Sequence, residues 1–122
     1  MPNPKRILVV EDSELVADAL RILFEDAGYA VSVAGSVKQA VETAITDVID
    51  MILLDLTLPD GNGLDVLHAL KEKVALPKAT IAMTGHNDDV TRRACLAAGC
   101  ADVLLKPVPI GDLLRLIEHH LA

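Results

Sequence analysis

At 122 residues the chain has room for one domain with one core, expected to span residues 1–122. Apolar residues make up 52% of it, yet no run approaches the ~20 that a membrane helix needs. The apolar stretch at residues 7–10 is too short for a secretory signal, so a cytoplasmic location and no membrane partner are expected. A net charge of −7, with no basic run and only Phe24 and Tyr29 as aromatics, argues against direct nucleic-acid binding.

Short apolar runs alternate with segments of helical period. The first run, Arg6–Val10, precedes a helix whose predicted inward stripe is Leu15, Val16, Ala19, Leu20 and Leu23. After the second run, Ala30–Ala34, a helix opens with Ser36 and Gln39 as a capping box and carries Val37, Ala40, Val41, Ala44 and Ile45. The third run, 51–54, leads to a helix over about 63–74 with Leu64, Leu67 and Leu70 inward. The fourth run, 80–83, is followed by a helix over about 88–98 that is only weakly apolar, through Val90, Ala94 and Ala97, and is expected to be the least firmly docked. The fifth run, Asp102–Leu105, precedes the clearest helix, with Ile110, Leu113, Leu114, Ile117 and Leu121 on one face and Pro109 at its start. Cys95 and Cys100 have no partners at metal-ligand spacing and are expected to be buried, reduced thiols. The near-continuous Val/Ile/Leu/Met runs predict strands buried on both faces of a parallel sheet. Five such units imply a doubly wound α/β fold, flavodoxin-like, with strand order 2-1-3-4-5.

The polar residues at the strand ends carry the functional argument. Strand one ends in Glu11 and Asp12, strand three in Asp55, strand four in Thr84 and strand five in Lys106. In the order 2-1-3-4-5 these four strands are neighbours, so all five groups gather at the switch point where such sheets bind ligands. Two carboxylates ~5 Å apart repel by about 3 kcal/mol at an effective dielectric near 20. Hard oxygen ligands on strand ends favour Mg²⁺, with Mn²⁺ able to substitute. Three acids, one lysine and one such ion sum to zero charge, so the site can then admit an anionic phosphoryl group. Asp55 is the natural nucleophile, since carboxylates form acyl phosphates, and Lys106 and the Thr84 hydroxyl are placed to meet the phosphoryl oxygens.

The ordered set Ile7-Leu8-Val9-Val10-Glu11-Asp12-Ser13, Leu54-Asp55-Leu56-Thr57-Leu58-Pro59-Asp60-Gly61, Ala82-Met83-Thr84-Gly85, Gly99-Cys100-Ala101-Asp102 and Leu105-Lys106-Pro107 resembles the receiver domains of two-component response regulators. The resemblance covers essentially the whole chain. It implies Asp55 as phosphoacceptor and Glu11, Asp12, Asp55 and the Thr57 backbone carbonyl as metal ligands. It further implies Thr84 as switch hydroxyl, Lys106 as phosphoryl-binding lysine, a cis bond before Pro107, and Thr57 and His86 as residues that tune the lifetime of the phosphorylated state. The implied donor is a sensor histidine kinase or histidine phosphotransfer protein. The implied output is a downstream partner, or a second copy of the chain, met through the fourth helix, fifth strand and fifth helix, a face that includes Arg92, Arg93 and Arg115. Where the family usually has Tyr, Phe or His, this chain has Val103, which puts coupling of Thr84 to a rotating aromatic in doubt and shifts the expected switch to the loop 85–89.

Three rivals differ in chemistry. A phosphatase of the haloacid dehalogenase type needs a second Asp where Thr57 stands. A flavin- or nucleotide-binding module needs a phosphate loop where Glu11 and Asp12 stand. A pseudo-receiver that binds partners without taking phosphate is opposed by five filled reactive positions and favoured only by Val103. The sequence stops just after the last helix, which leaves the output to partner contact or to sequence outside this chain.

Overall fold

The computed structural model describes residues 4–73, 76–85 and 88–121. His86, assigned a lifetime-tuning role above, and Val74, the expected end of the third helix, lie outside the described residues.

Five parallel strands form the sheet: β1 (Arg6–Val10), β2 (Ala30–Ala34), β3 (Met51–Asp55), β4 (Ala79–Thr84) and β5 (Asp102–Leu105). Their order is β2-β1-β3-β4-β5, as the alternation of apolar runs and helices predicts. Both β3 and β4 are buried along their whole length, because helices cover both faces of the central sheet. The edge strand β2 departs from the expectation of two-sided burial: Val33 is exposed and Val31 half-buried, since an edge has a neighbour on one side only.

Helices α1 (Glu14–Asp26) and α5 (Ile110–Leu121) cover one face; α2 (Val37–Thr46), α3 (Leu64–Glu72) and α4 (Asp89–Ala98) cover the other. On the first face Leu20, Phe24, Leu113 and Ile117 pack on Ile7, Val9, Leu53 and Ile81. On the second, Ala40, Leu67, Leu70 and Cys95 pack on Leu8, Val10, Ile52 and Leu54. Each large aliphatic side chain fully buried this way contributes ~1.5–3 kcal/mol. Half of the expected α2 capping box forms: Gln39 N–H donates to Ser36 Oγ at 3.1 Å, but Gln39 Oε1 accepts from Gly35 N–H at 2.9 Å, one residue before the cap. Pro109 stands immediately before α5, its carbonyl accepting from Leu113 N–H at 3.1 Å.

In two helices the buried face differs from the apolar residues that periodicity marks, although Leu20 and Leu23 of the α1 stripe do pack in the core. In α1 the buried residues are Ala17, Leu20 and Phe24, whereas Leu15 is 81% exposed and Val16 and Ala19 face outward. That edge of α1 borders an open groove of about 680 Å³ toward α5, lined also by Val108, Ile110 and Leu113, so no element covers it. In α4 the docked residues are Cys95 and Ala98, while Val90 is 77% exposed and Ala94 and Ala97 are exposed. The small residues Ala94, Cys95, Ala97 and Ala98 are spread around α4 and leave its period ambiguous; the buried Cys95 and Ala98 mark the docked face. Ile45 and Ile110 are likewise about half-exposed at the ends of their stripes.

Candidate functional site

The strand order brings the carboxyl ends of β1, β3, β4 and β5 side by side. Glu11 leaves β1 directly, its N–H held by the Ala34 carbonyl of β2 at 2.9 Å. Asp55 is the last residue of β3, paired in register with Met83, and Thr84 follows at the end of β4 opposite Leu105. Lys106 is the first residue beyond β5, with its N–H on the Thr84 carbonyl at 2.8 Å and the next peptide bond, Lys106–Pro107, cis.

Carboxylate oxygens of Glu11, Asp12 and Asp55 lie within 4.8 Å of one another. Glu11 and Asp55 are 6% and 5% exposed, while Asp12 opens to solvent. The Lys106 ammonium stands 2.9 Å from Asp55 Oδ2 and 3.8 Å from Glu11 Oε2. The other oxygens are held by local amides: Ser13 N–H donates to Glu11 Oε1 at 3.1 Å and Thr57 N–H donates to Asp55 Oδ1 at 3.0 Å. Thr84 is buried beside this cluster's strands, and Thr57 is exposed two residues beyond Asp55. Val103 is buried among Ala82, Cys95, Ala98 and Cys100, filling core space.

The two buried acids split in pKa. Burial, then the adjacent Asp55, pushes Glu11 above the usual carboxylate range. Burial acts in the same direction on Asp55, but the hydrogen bonds from Lys106 and Thr57 outweigh it and hold Asp55 below its ordinary value. A raised carboxyl pKa means that ionised Glu11 costs the fold stability. The cost begins as pH rises past the ordinary value of 4.5 and is complete above the folded value. In chelator, Glu11→Gln is therefore expected to raise the thermal midpoint at neutral pH, with the gain vanishing as pH falls below 4.5. An unchanged midpoint at neutral pH would contradict the cost of holding a charged Glu11 in this buried position.

An acidic trio with one lysine fits a small divalent cation: the donors are hard oxygens within 4.8 Å of one another, and two of the three acids are buried. Both cysteines are free and buried on the α4 side of the sheet. Burial, then Cys95, pushes the Cys100 thiol up to about 12, which makes it a poor nucleophile or ligand. Among the described residues no helix is long and apolar enough to cross a membrane.

Sequence reasoning missed what fixes the acceptor loop. Residues Thr57–Leu58 and Gly61–Asn62 pair as a small antiparallel hairpin, and Leu64 N–H and Asn62 N–H are held by Asn62 Oδ1 and Asp65 Oδ2 at 2.8 and 3.2 Å. The Pro59-Asp60-Gly61 sequence is a turn signal that could have located the hairpin.

The doubly wound parallel sheet, with an acidic cluster and a lysine at its carboxyl edge, agrees with the receiver class that the sequence resembles. The family model for the response regulator receiver domain matches residues 7–118, and the chain belongs to that family. It is 34% identical over 116 residues to the TorCAD operon transcriptional regulatory protein TorR of Escherichia coli K12, covering 95% of this chain and 50% of TorR. An uncharacterized 14.6 kDa protein from Leptolyngbya boryana is 32% identical over 118 residues, covering 93% of this chain and 88% of that one. Among solved structures, a CheY-like response regulator receiver domain protein from Methanospirillum hungatei superposes with a TM-score of 0.88 at 29% identity, covering 97% of this chain and 94% of the other. The chain spans about half the length of the transcriptional regulators TorR and KdpE that it matches.

Proposed function

We propose that residues 1–122 act as one cytoplasmic receiver domain that takes a phosphoryl group onto Asp55 from a phosphohistidine donor. The supporting observation is the cluster itself: Asp55, held ionised by Lys106 at 2.9 Å, sits with Glu11 and Asp12 within 4.8 Å. In the transfer, an Asp55 carboxylate oxygen forms the new bond to phosphorus as the bond from phosphorus to the donor imidazole breaks. Lys106 follows the added charge from the carboxylate to the phosphoryl oxygens, and the Thr84 hydroxyl donates a hydrogen bond to another. A Mg²⁺ or Mn²⁺ held by Glu11, Asp12, Asp55 and the Thr57 carbonyl supplies the positive charge that phosphoryl transfer needs beyond Lys106. The chain is an acceptor and switch rather than a turnover enzyme; Thr57 and His86 set how fast water removes the group.

The donor is a sensor kinase or histidine phosphotransfer protein. The open groove between α1 and α5 reaches Glu11 and Lys106, which gives such a partner apolar surface beside the acceptor. Output runs through α4, β5 and α5, to a protein partner or a second copy. With Val103 in place of an aromatic, the switch depends on the loop 85–89 and on α4, whose exposed Val90 and Leu96 leave it lightly anchored.

Incubation with acetyl phosphate and Mg²⁺ is expected to add one phosphoryl group, read by intact mass; no gain would favour the phosphorylation-independent reading. Mg²⁺ alone should raise the thermal midpoint, with stabilisation of about 2.7 kcal/mol at a concentration 100 times the dissociation constant. Asp12→Ala should remove most of that rise and cost the metal-free fold little, because Asp12 is exposed. A full Mg²⁺ response in this variant would exclude Asp12 from the ligand set.

A further inference from the structure

The hairpin that follows the acceptor strand has Pro59 and Asp60 at its tip, and the tip, though exposed, is tied to a neighbouring helix. Both carboxylate oxygens of Asp60 are engaged by the first turn of α2: Val37 N–H donates to Oδ1 at 2.8 Å and Lys38 N–H donates to Oδ2 at 3.1 Å. These are two of the amides that a helix N-terminus cannot satisfy internally. The next one, Gln39 N–H, goes to Ser36 Oγ. No acidic residue lies in the first turn of α2, and Lys38 there has the wrong sign for the positive end of the helix dipole. Asp60 supplies the missing negative charge from 22 and 23 residues away. The two amides, Val37 foremost, hold its carboxyl below the ordinary range.

The same end of α2 also abuts the acidic loop. Gly35 lies close enough that a Cβ on it would stand 3.8 Å from the Glu11 carbonyl oxygen and 4.0 Å from the Asp12 Cα. The residue just before the α2 cap thus runs beside the loop bearing Glu11 and Asp12, while the first turn of α2 is strapped to the hairpin that follows Asp55 and bears Thr57. Resting on the reading of the site given above, we infer that Asp60 is a positioning residue that fixes the gap between these two loops, and with it the affinity of the site for a divalent cation. A local acid in α2 would cap the helix equally well; a distant one also ties the loops together. Groups that orient metal ligands from behind typically control affinity by about 10–100-fold.

The test compares the Mg²⁺ dissociation constant by calorimetry, and the thermal midpoint in chelator, for wild type, Asp60→Ala, Asp60→Asn and Ser36→Ala. Ser36→Ala removes a neighbouring cap of the same helix without touching the hairpin. Asp60→Ala is expected to weaken Mg²⁺ binding about tenfold. Asp60→Asn, which keeps one acceptor, should fall between it and wild type, and serves alone if the alanine variant does not fold. Ser36→Ala should lower the midpoint and leave the Mg²⁺ constant unchanged. Wild-type Mg²⁺ affinity in both Asp60 variants, or equal weakening in Ser36→Ala, would overturn the positioning role alone. A wild-type chain that bound no Mg²⁺ would overturn the reading of the site together with it.

Discussion

Asp55→Asn is expected to gain no phosphoryl group from acetyl phosphate and Mg²⁺ under conditions in which the wild type does. The amide oxygen keeps the shape of the carboxylate and can still accept the Thr57 N–H, but it carries no charge to attack phosphorus. The fold should survive. Lys106 would lose its 2.9 Å partner, yet its side chain is 37% exposed and Glu11 Oε2 stands 3.8 Å away as a substitute. Partly exposed ion pairs of this kind contribute about 1 kcal/mol or less. The charge lost from Asp55 also relieves Glu11, which offsets part of that small cost. The expected pattern is therefore a near-normal melting curve with a flat mass spectrum. A phosphoryl adduct on Asp55→Asn would move the acceptor elsewhere in the chain and dismantle the proposed chemistry.

The parts of this site that were legible in the sequence were those written as pattern. Apolar runs bounded by Glu11-Asp12, Asp55, Thr84 and Lys106 specify strand ends, and the alternation with helices specifies which ends are neighbours. Helix orientation was less legible because periodicity records where apolar residues recur, without recording whether a neighbour covers them. Leu15 and Val16 extend the α1 stripe in sequence, but the space between α1 and α5 stays open, so they line a groove. In α4, Ala94 and Ala97 are as apolar as Ala98 and far less buried. Asp60 was invisible for a different reason: its partners, Val37 and Lys38, precede it by more than 20 residues, and backbone amides leave no trace in residue type.

Gly63→Ala is expected to be the most damaging single methyl addition at the site. Gly63 has ordinary helical dihedrals, φ −53° and ψ −32°, so backbone freedom does not explain its presence. Space does. A Cβ on Gly63 would lie 2.2 Å from the Asp55 carbonyl oxygen and 3.0 Å from both the Asp55 carbonyl carbon and the Leu56 Cα. All three obstacles are backbone, and Gly63 N–H is itself tied to the Leu56 carbonyl at 2.9 Å, so neither side can yield alone. Inserting a methyl group into packed side chains costs about 1–3 kcal/mol. Here the start of α3 must separate from the end of β3, and the upper end of that range is expected. For a chain of this size that is a fall in midpoint of roughly 10 °C. Separation also drags the acceptor: Asp55 would shift relative to Glu11, Asp12 and Lys106, and a displacement of ~1 Å suffices to spoil a preorganised site. Folded Gly63→Ala at low temperature should accordingly take up Mg²⁺ and phosphoryl groups far more weakly than wild type. Near-wild-type melting with intact Mg²⁺ affinity would mean that Gly63 and the Asp55 carbonyl can move apart without cost to the fold or the site.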